Sequence, residues 1–219
     1  RRAAADDLGK RIGDELAALG MGGARVVVDV EPLPLHDEGR HGALAVDGAR
    51  LGPGGIDRVE FLISPNKGID PRPLRKIASG GELSRALLAL KRCLAECGPA
   101  GLYVFDEVDA GVGGAVADKI GRAIADVARH HQVLCITHLA PIAAFGDAHY
   151  VVSKHIDGGM TRSGVVRVER KERIAEVARM LSGAKVTDAS LKAATEMIRA
   201  AREGDTPSPR ASEKLRARA

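Results

Sequence analysis

Tryptophan is absent from this chain of 219 residues, and Tyr and Phe together make up only 2% of it. Rows of stacked rings, on which single-strand nucleic-acid modules hold bases, are therefore excluded. Cysteine is scarce as well. Three of them, an odd number, build no disulfide framework and suit a reducing compartment. No apolar run approaches the ~20 residues of a membrane span. No charged-then-apolar leader is present, so a cytoplasmic chain with no membrane partner is expected. A phosphate-cradling G-x-x-x-x-G-K-[ST] loop is also missing, because Gly9-Lys10 is followed by Arg11. The sequence opens on Arg1-Arg2-Ala3 rather than Met, as a fragment of something longer or a trimmed chain would.

What is present is ordinary for a globular protein: 45% hydrophobic and 28% charged residues, with a net charge of +4. The excess sits at one end. Residues 199–219 hold six Lys and Arg against three Asp and Glu, a net of +3. Pro, Ser, Arg and Ala dominate beyond Gly204, which predicts a basic, disordered tail. Such a tail touches phosphate backbones in some proteins and is a solvated end in most.

Periodicity supplies the elements. Leu8, Ile12, Leu16 and Leu19 form one stripe of a helix over 3–19, stopped by Gly20. Ala5, Leu8, Ile12 and Leu19 also fit heptad a and d positions, with Glu15 breaking the pattern, so residues 1–20 are expected to end a coiled coil. Strands are expected over 25–30, around 44–46, and over 59–63. A helix carrying Leu83, Ala86, Leu87, Leu90 and Leu94 starts after Ser79. Two fully apolar runs, 102–105 and 133–137, flank a helix marked by Val116, Ile120, Ile124 and Val127. Strand, helix, strand with short links is a βαβ unit, hence a parallel sheet with strands buried on both faces. Edge strands at 150–153 and 165–169, joined across Asp157-Gly158-Gly159, and two last helices complete an α/β fold.

Three places carry polar groups suited to chemistry. Ser79-Gly80-Gly81-Glu82 opens a helix. Ser with Glu three residues later is a capping box, and a plain cap explains that much. Two glycines are more than a cap requires; they allow a close backbone approach, and a helix N-terminus favours a phosphate. Leu102-Tyr103-Val104-Phe105 ends in Asp106-Glu107. An acidic turn would read the same. A buried strand, however, fixes its last residue at the carboxyl edge of the sheet, where α/β proteins bind ligands. There Asp106 suits Mg²⁺ held through water. Glu107 suits a base for an attacking water. Thr137-His138-Leu139 leaves the second strand at the same edge, and His138 can hydrogen-bond a phosphate. His130 and His131 read as a helix end. Gly111-Val112-Gly113-Gly114 fails as a dinucleotide loop, since Val116 stands where the third glycine belongs. Cys93, Cys97 and Cys135 read as small core residues rather than a metal site.

Order and spacing add to the motifs. Ser79 precedes Asp106 by 27 residues and His138 follows Glu107 by 31. This order resembles the second half of an ABC-type ATPase head: signature turn, Walker B strand, D-loop at Val108-Asp109-Ala110-Gly111, and H-loop. The wording resembles the RecN family of SMC-like bacterial DNA repair ATPases. The matching stretches are Lys76-Ile77-Ala78-Ser79-Gly80-Gly81-Glu82-Leu83-Ser84-Arg85, Phe105-Asp106-Glu107-Val108-Asp109-Ala110-Gly111-Val112, Val59–Asn66 and Gln132–Leu139. The likeness runs from about Leu16 to Ile198. Ala78 and Glu82 depart from the Leu-Ser-Gly-Gly-Gln of transporter ATPases and fit the SMC-like branch.

The resemblance implies the C-terminal lobe of an ABC/SMC-type P-loop head, with a parallel sheet core and flanking helices over 21–198, after a coiled-coil stub. It implies ATP and Mg²⁺ as ligands, with Asp106 for the metal and Glu107 and His138 as catalytic residues. Ser79, Gly80, Gly81 and Glu82 would face the nucleotide of a second head, and Asp109 would serve as the D-loop residue. The implied partners are the missing Walker A half, a second head in a homodimer, and DNA, at the nucleoid. The implied role is ATP hydrolysis with head dimerisation in double-strand break repair and recombination. Without the Walker A half, the chain alone is expected to be inactive. Rival readings are another SMC-like or transporter ATPase subunit, and a non-catalytic dimerisation half.

Overall fold

The computed structural model describes residues 1–35, 44–157 and 160–204. The chain divides into two compact units, Arg1–Leu94 and Ala95–Ala219, and each is described by itself.

The first unit is a helix laid on an antiparallel sheet. Helix α1 (Arg2–Ala18) buries Ala5, Gly9, Ile12 and Leu16. Strands β1 (Arg25–Pro32) and β4 (Asp57–Ser64) pair from Arg25 opposite Ser64 to Pro32 opposite Asp57. Their β-branched run, Val26-Val27-Val28, is what a pleated, half-buried surface favours. Between them a two-residue hairpin, β2 (Ala45–Val46) and β3 (Ala49–Arg50), stands apart. The short β5 (Arg72–Pro73), which no periodicity announces, adds a third strand beyond β4, and a 3-10 turn over Leu74–Lys76 follows. Helix α2 (Gly80–Cys93) closes the unit, and its Arg92 is paired with Glu15 of α1. Part of the heptad-spaced stripe faces the interior of this unit. Ile12 and Leu16 border the same small space as Val26, Phe61, Ile63, Ala86 and Leu90.

The second unit carries the βαβ segment. Strands β6 (Leu102–Phe105) and β7 (Gln132–Cys135) are parallel, with Leu102 opposite Gln132 and Phe105 opposite Cys135. Helix α3 (Gly114–Ala128) connects them and buries Ile120, Ile124 and Val127. One expectation is corrected here. The strands are not buried on both faces: Phe105 is 5% exposed, but Leu102, Val104 and Leu134 are exposed, as is Ile136 just beyond β7. Alternation along a strand sends every second side chain to the opposite face, and α3 packs against β7 on one side.

The short helix α4 (Ala140–Ala143) follows β7. A hairpin of β8 (His149–Asp157) and β9 (Met160–Val168) comes next, longer than the two edge strands expected. Its turn at 158–159 lies outside the described residues. Helices α5 (Arg170–Ser182) and α6 (Asp188–Gly204) end the described chain. Ala140, Ala144, Val177, Ala178, Ala194, Ile198 and Ala201 form their common core. Helix α6 thus takes in residues 199–204, expected to begin the tail; the rest of that tail, 205–219, lies outside the described residues. His131 stands just past the end of α3, its N–H on Val127 O at 3.1 Å. It is buried, accepts Gly101 N–H at Nδ1 (3.1 Å), lies 3.0 Å from Ala95 O through Nε2, and rests its ring on Tyr103.

Candidate functional site

Most of the chemistry-bearing side chains collect where the two parallel strands end. Strand β6 delivers Asp106 and Glu107 directly after buried Phe105. Asp106 Oδ1 accepts the Glu107 N–H at 2.9 Å, which fixes the first carboxylate over its own backbone. Glu107 itself takes a left-handed conformation, φ 55°. For a residue with a long side chain this costs roughly 1–3 kcal/mol, and such strain concentrates at functional sites. Both side chains are exposed. Immediately afterwards the chain dives: Val108 is 0% and Asp109 4% exposed. The turn closes with Ala110 N–H donating to Glu107 O at 3.0 Å.

Strand β7 ends beside it. Ile136 N–H donates to Phe105 O at 2.9 Å, which carries the strand pairing one bond further. Thr137 Oγ1 then donates to Asp109 Oδ2 at 2.5 Å, and His138 N–H donates to the same oxygen at 3.1 Å. His138 Nδ1 also lies 3.1 Å from Asp109 Oδ2, with the imidazole largely exposed. Thr137 Oγ1 accepts the Leu139 N–H at 3.0 Å, which sets the start of α4. Asp109 therefore ties the turn after β6 to the turn after β7. The part Thr137 plays is one the motif does not announce; a hydroxyl next to a histidine at a strand end is the available signal.

The acidic turn also acts on Cys135, the last residue of β7. Burial, then the charges of Asp109 and Asp106, push its thiol up to about 12. It remains a protonated thiol at neutral pH and supplies no thiolate to a metal. Among the described residues no group of three or more His, Cys, Asp or Glu is arranged to hold a metal ion. What the site offers a divalent cation is a single oriented carboxylate. That suits Mg²⁺, which keeps most of its waters and shares substrate phosphates, and does not suit a metal caged by protein.

The Ser79 turn belongs to the first unit. Ser79 is the N-cap of α2, and its Oγ accepts the Glu82 N–H at 3.4 Å, a long bond. The capping box is real but weak. Ser79 and Gly80 are exposed and Gly81 is buried. The structure brings Asp106, Glu107, Asp109 and His138 together in the second unit and describes the Ser79–Glu82 turn separately.

No family model matches the chain. The DNA repair protein RecN of Mycobacterium leprae is 44% identical over 209 residues, covering 93% of this chain and 35% of that protein. RecN of Streptomyces coelicolor is 42% identical over 202 residues, with 92% and 35% covered. The chain belongs to the RecN family. RecN of Treponema pallidum is 49% identical over 151 residues, or 69% of this chain and 26% of its own length. The chain thus spans about a third of the length of the first two relatives. Among solved structures, an Smc head domain with a coiled coil and joint from Pyrococcus yayanosii overlays with a TM-score of 0.49 at 20% identity, covering 81% of this chain and 29% of that one. A structure from work on ATP-driven dimerisation and DNA-stimulated activation of SMC ATPases gives 0.43 at 18% identity, covering 82% and 94%. No helix among the described residues is long and apolar enough to cross a membrane.

Proposed function

We propose that this RecN-family chain is the lobe of an ATPase head that supplies the hydrolytic carboxylates. The head would hydrolyse ATP as two heads associate, in the repair of DNA breaks by recombination, at the nucleoid. The observation that carries the reading is the strained Glu107 beside Asp106, at the carboxyl end of a parallel strand pair. A residue held at some cost in backbone energy, with its carboxylate exposed, is what a positioned base requires.

Mg-ATP supplies the phosphorus to be attacked and the charge to be neutralised. Asp106 would hold the metal through water, its orientation set by the Glu107 N–H. Glu107 would align the attacking water and take its proton. His138 would reach the terminal phosphate from the neighbouring turn. The first N–H groups of α2, at Gly80 and Gly81 behind Ser79, would meet the nucleotide of a second head, where helix dipole and free donors favour an anion. Glu82, in the first turn of α2, belongs to the same contact. The exposed side of β6 and β7, with Leu102, Val104, Leu134 and Ile136, supports a further lobe that carries the phosphate loop. In that reading α1 continues a coiled coil, and 21–198 is one lobe.

Glu107→Gln in a RecN head that includes the phosphate loop is the test. It keeps the shape and removes the base. ATP binding should survive, turnover should fall ~10²-fold or more, and ATP-dependent dimers should accumulate on size exclusion. Turnover at the parent rate would remove Glu107 from the mechanism.

A further inference from the structure

A hydroxyl stands where the two turns meet. Thr137 lies just past the end of β7 and is half-buried. Its Oγ1 accepts the Leu139 N–H at 3.0 Å. A backbone N–H can only donate, so the hydroxyl keeps its own hydrogen for Asp109 Oδ2, 2.5 Å away. An O–H···O bond of that length is in the charge-assisted range. The same carboxylate oxygen accepts the His138 N–H at 3.1 Å. Asp109 is 4% exposed, so donors from the protein have to replace the water it has lost. The three bonds form one chain, running from the Leu139 amide through the hydroxyl to the carboxylate and on to the His138 amide. We infer that Thr137 is a positioning residue: its hydroxyl fastens the turn that carries His138 to the turn that carries Glu107.

Strand register aligns the two chains as far as Phe105 opposite Cys135. Beyond it, β6 gives way to a left-handed Glu107 and a buried Val108 and Asp109. Strand β7 gives way to the residues that lead into α4. The Ala110 N–H bond to Glu107 O closes the first turn, so whatever holds Asp109 also steadies the backbone of Glu107. A valine at 137 would keep the shape of threonine. It would leave Asp109 short of a donor inside the fold and the Leu139 N–H without its acceptor. A serine would serve both, with a less restricted χ1. The consequence for turnover rests on the proposed function; the fastening of the two turns does not.

Amide hydrogen exchange in the 219-residue chain, followed by NMR, reads the fastening directly. The His138 and Leu139 amides are expected to be protected in the unaltered chain. Thr137→Val should speed exchange at Leu139 roughly tenfold, the scale of one lost hydrogen bond, and should leave Ile136, bonded to Phe105 O, unchanged. Thr137→Ser should restore protection. Exchange at Leu139 that is indifferent to Thr137→Val overturns the inference. If the valine variant does not fold, the unaltered chain decides: His138 and Leu139 amides exchanging as fast as in an unstructured peptide overturn it too. In a complete RecN head, Thr137→Val should lower kcat roughly tenfold with KM for ATP unchanged, and Thr137→Ser should recover most of the loss. The valine should add nothing to the loss caused by His138→Gln. Independent, multiplying losses would show that Thr137 does not act through His138. A His138→Gln head with full turnover would instead sink the proposed role of His138 and leave the fastening, read by exchange, standing.

Discussion

At the residue scale, His149 shows how burial and a neighbouring cation set an acid limit. It opens β8, and the sequence offered no partner for it. Burial, and then the charge of Arg173, hold its imidazole below the ordinary value of 6.5, against an opposing pull from Glu176. The folded chain thus binds this proton less readily than the unfolded chain. Stability from this source is whole above about pH 6.5 and falls as the pH drops below it. Glu176 is held below its usual 4.5 chiefly by hydrogen bonding from Arg179, so its contribution is lost only in stronger acid. Two successive losses of stability are expected on acidification. Thermal melts of His149→Gln between about pH 7 and pH 5 should be flatter than those of the unaltered chain; parallel curves would clear His149. Residues at the site were more legible than His149. Asp106, Glu107 and His138 stood out because each follows an apolar run. Asp109 was legible as part of a motif. Its three contacts were not, because they depend on where β7 ends relative to β6.

At the scale of elements, the βαβ segment followed from periodicity. Strand β6 runs over the four residues expected, and α3 and β7 differ from expectation only at their ends. The misses are elements too short to have a period: β5, the 3-10 turn and α4. Gly121 is a further case. In the middle of α3 it looks like a helix defect, and replacing an exposed helical Gly by Ala normally gains about 0.5–1 kcal/mol. Here a Cβ would stand 2.4 Å from Phe145 Cδ2 and 3.2 Å from Pro141 O. The ring can swing away, but the carbonyl belongs to α4. Gly121→Ala is therefore expected to destabilise by about 1–3 kcal/mol, read as a lower Tm in the 219-residue chain. An unchanged or higher Tm would mean that α4 yields freely.

At the scale of the whole molecule, the chain has an oriented carboxylate, a histidine and a helix start, but no backbone cradle for the β- and γ-phosphates. Contacts of this kind work by position, and position fails when the phosphates are not anchored. The 219-residue chain should bind Mg-ATP no better than roughly millimolar, near −4 kcal/mol, and should show no turnover. Calorimetric titration checks this; micromolar binding would reveal a phosphate site that is not on these elements and would end the half-head reading. The sequence revealed the missing loop but not the bare side of the sheet, because an apolar run looks the same whether one or both of its faces are covered. In the proposed head, Leu102, Val104, Leu134 and Ile136 become dry only when the phosphate-loop lobe arrives. Closing the sheet and building the nucleotide site are then a single event in biosynthesis. A product that carried only this lobe would have no half-working pocket in which to sequester ATP, and would display the apolar side of β6 and β7 to the cell's quality-control machinery.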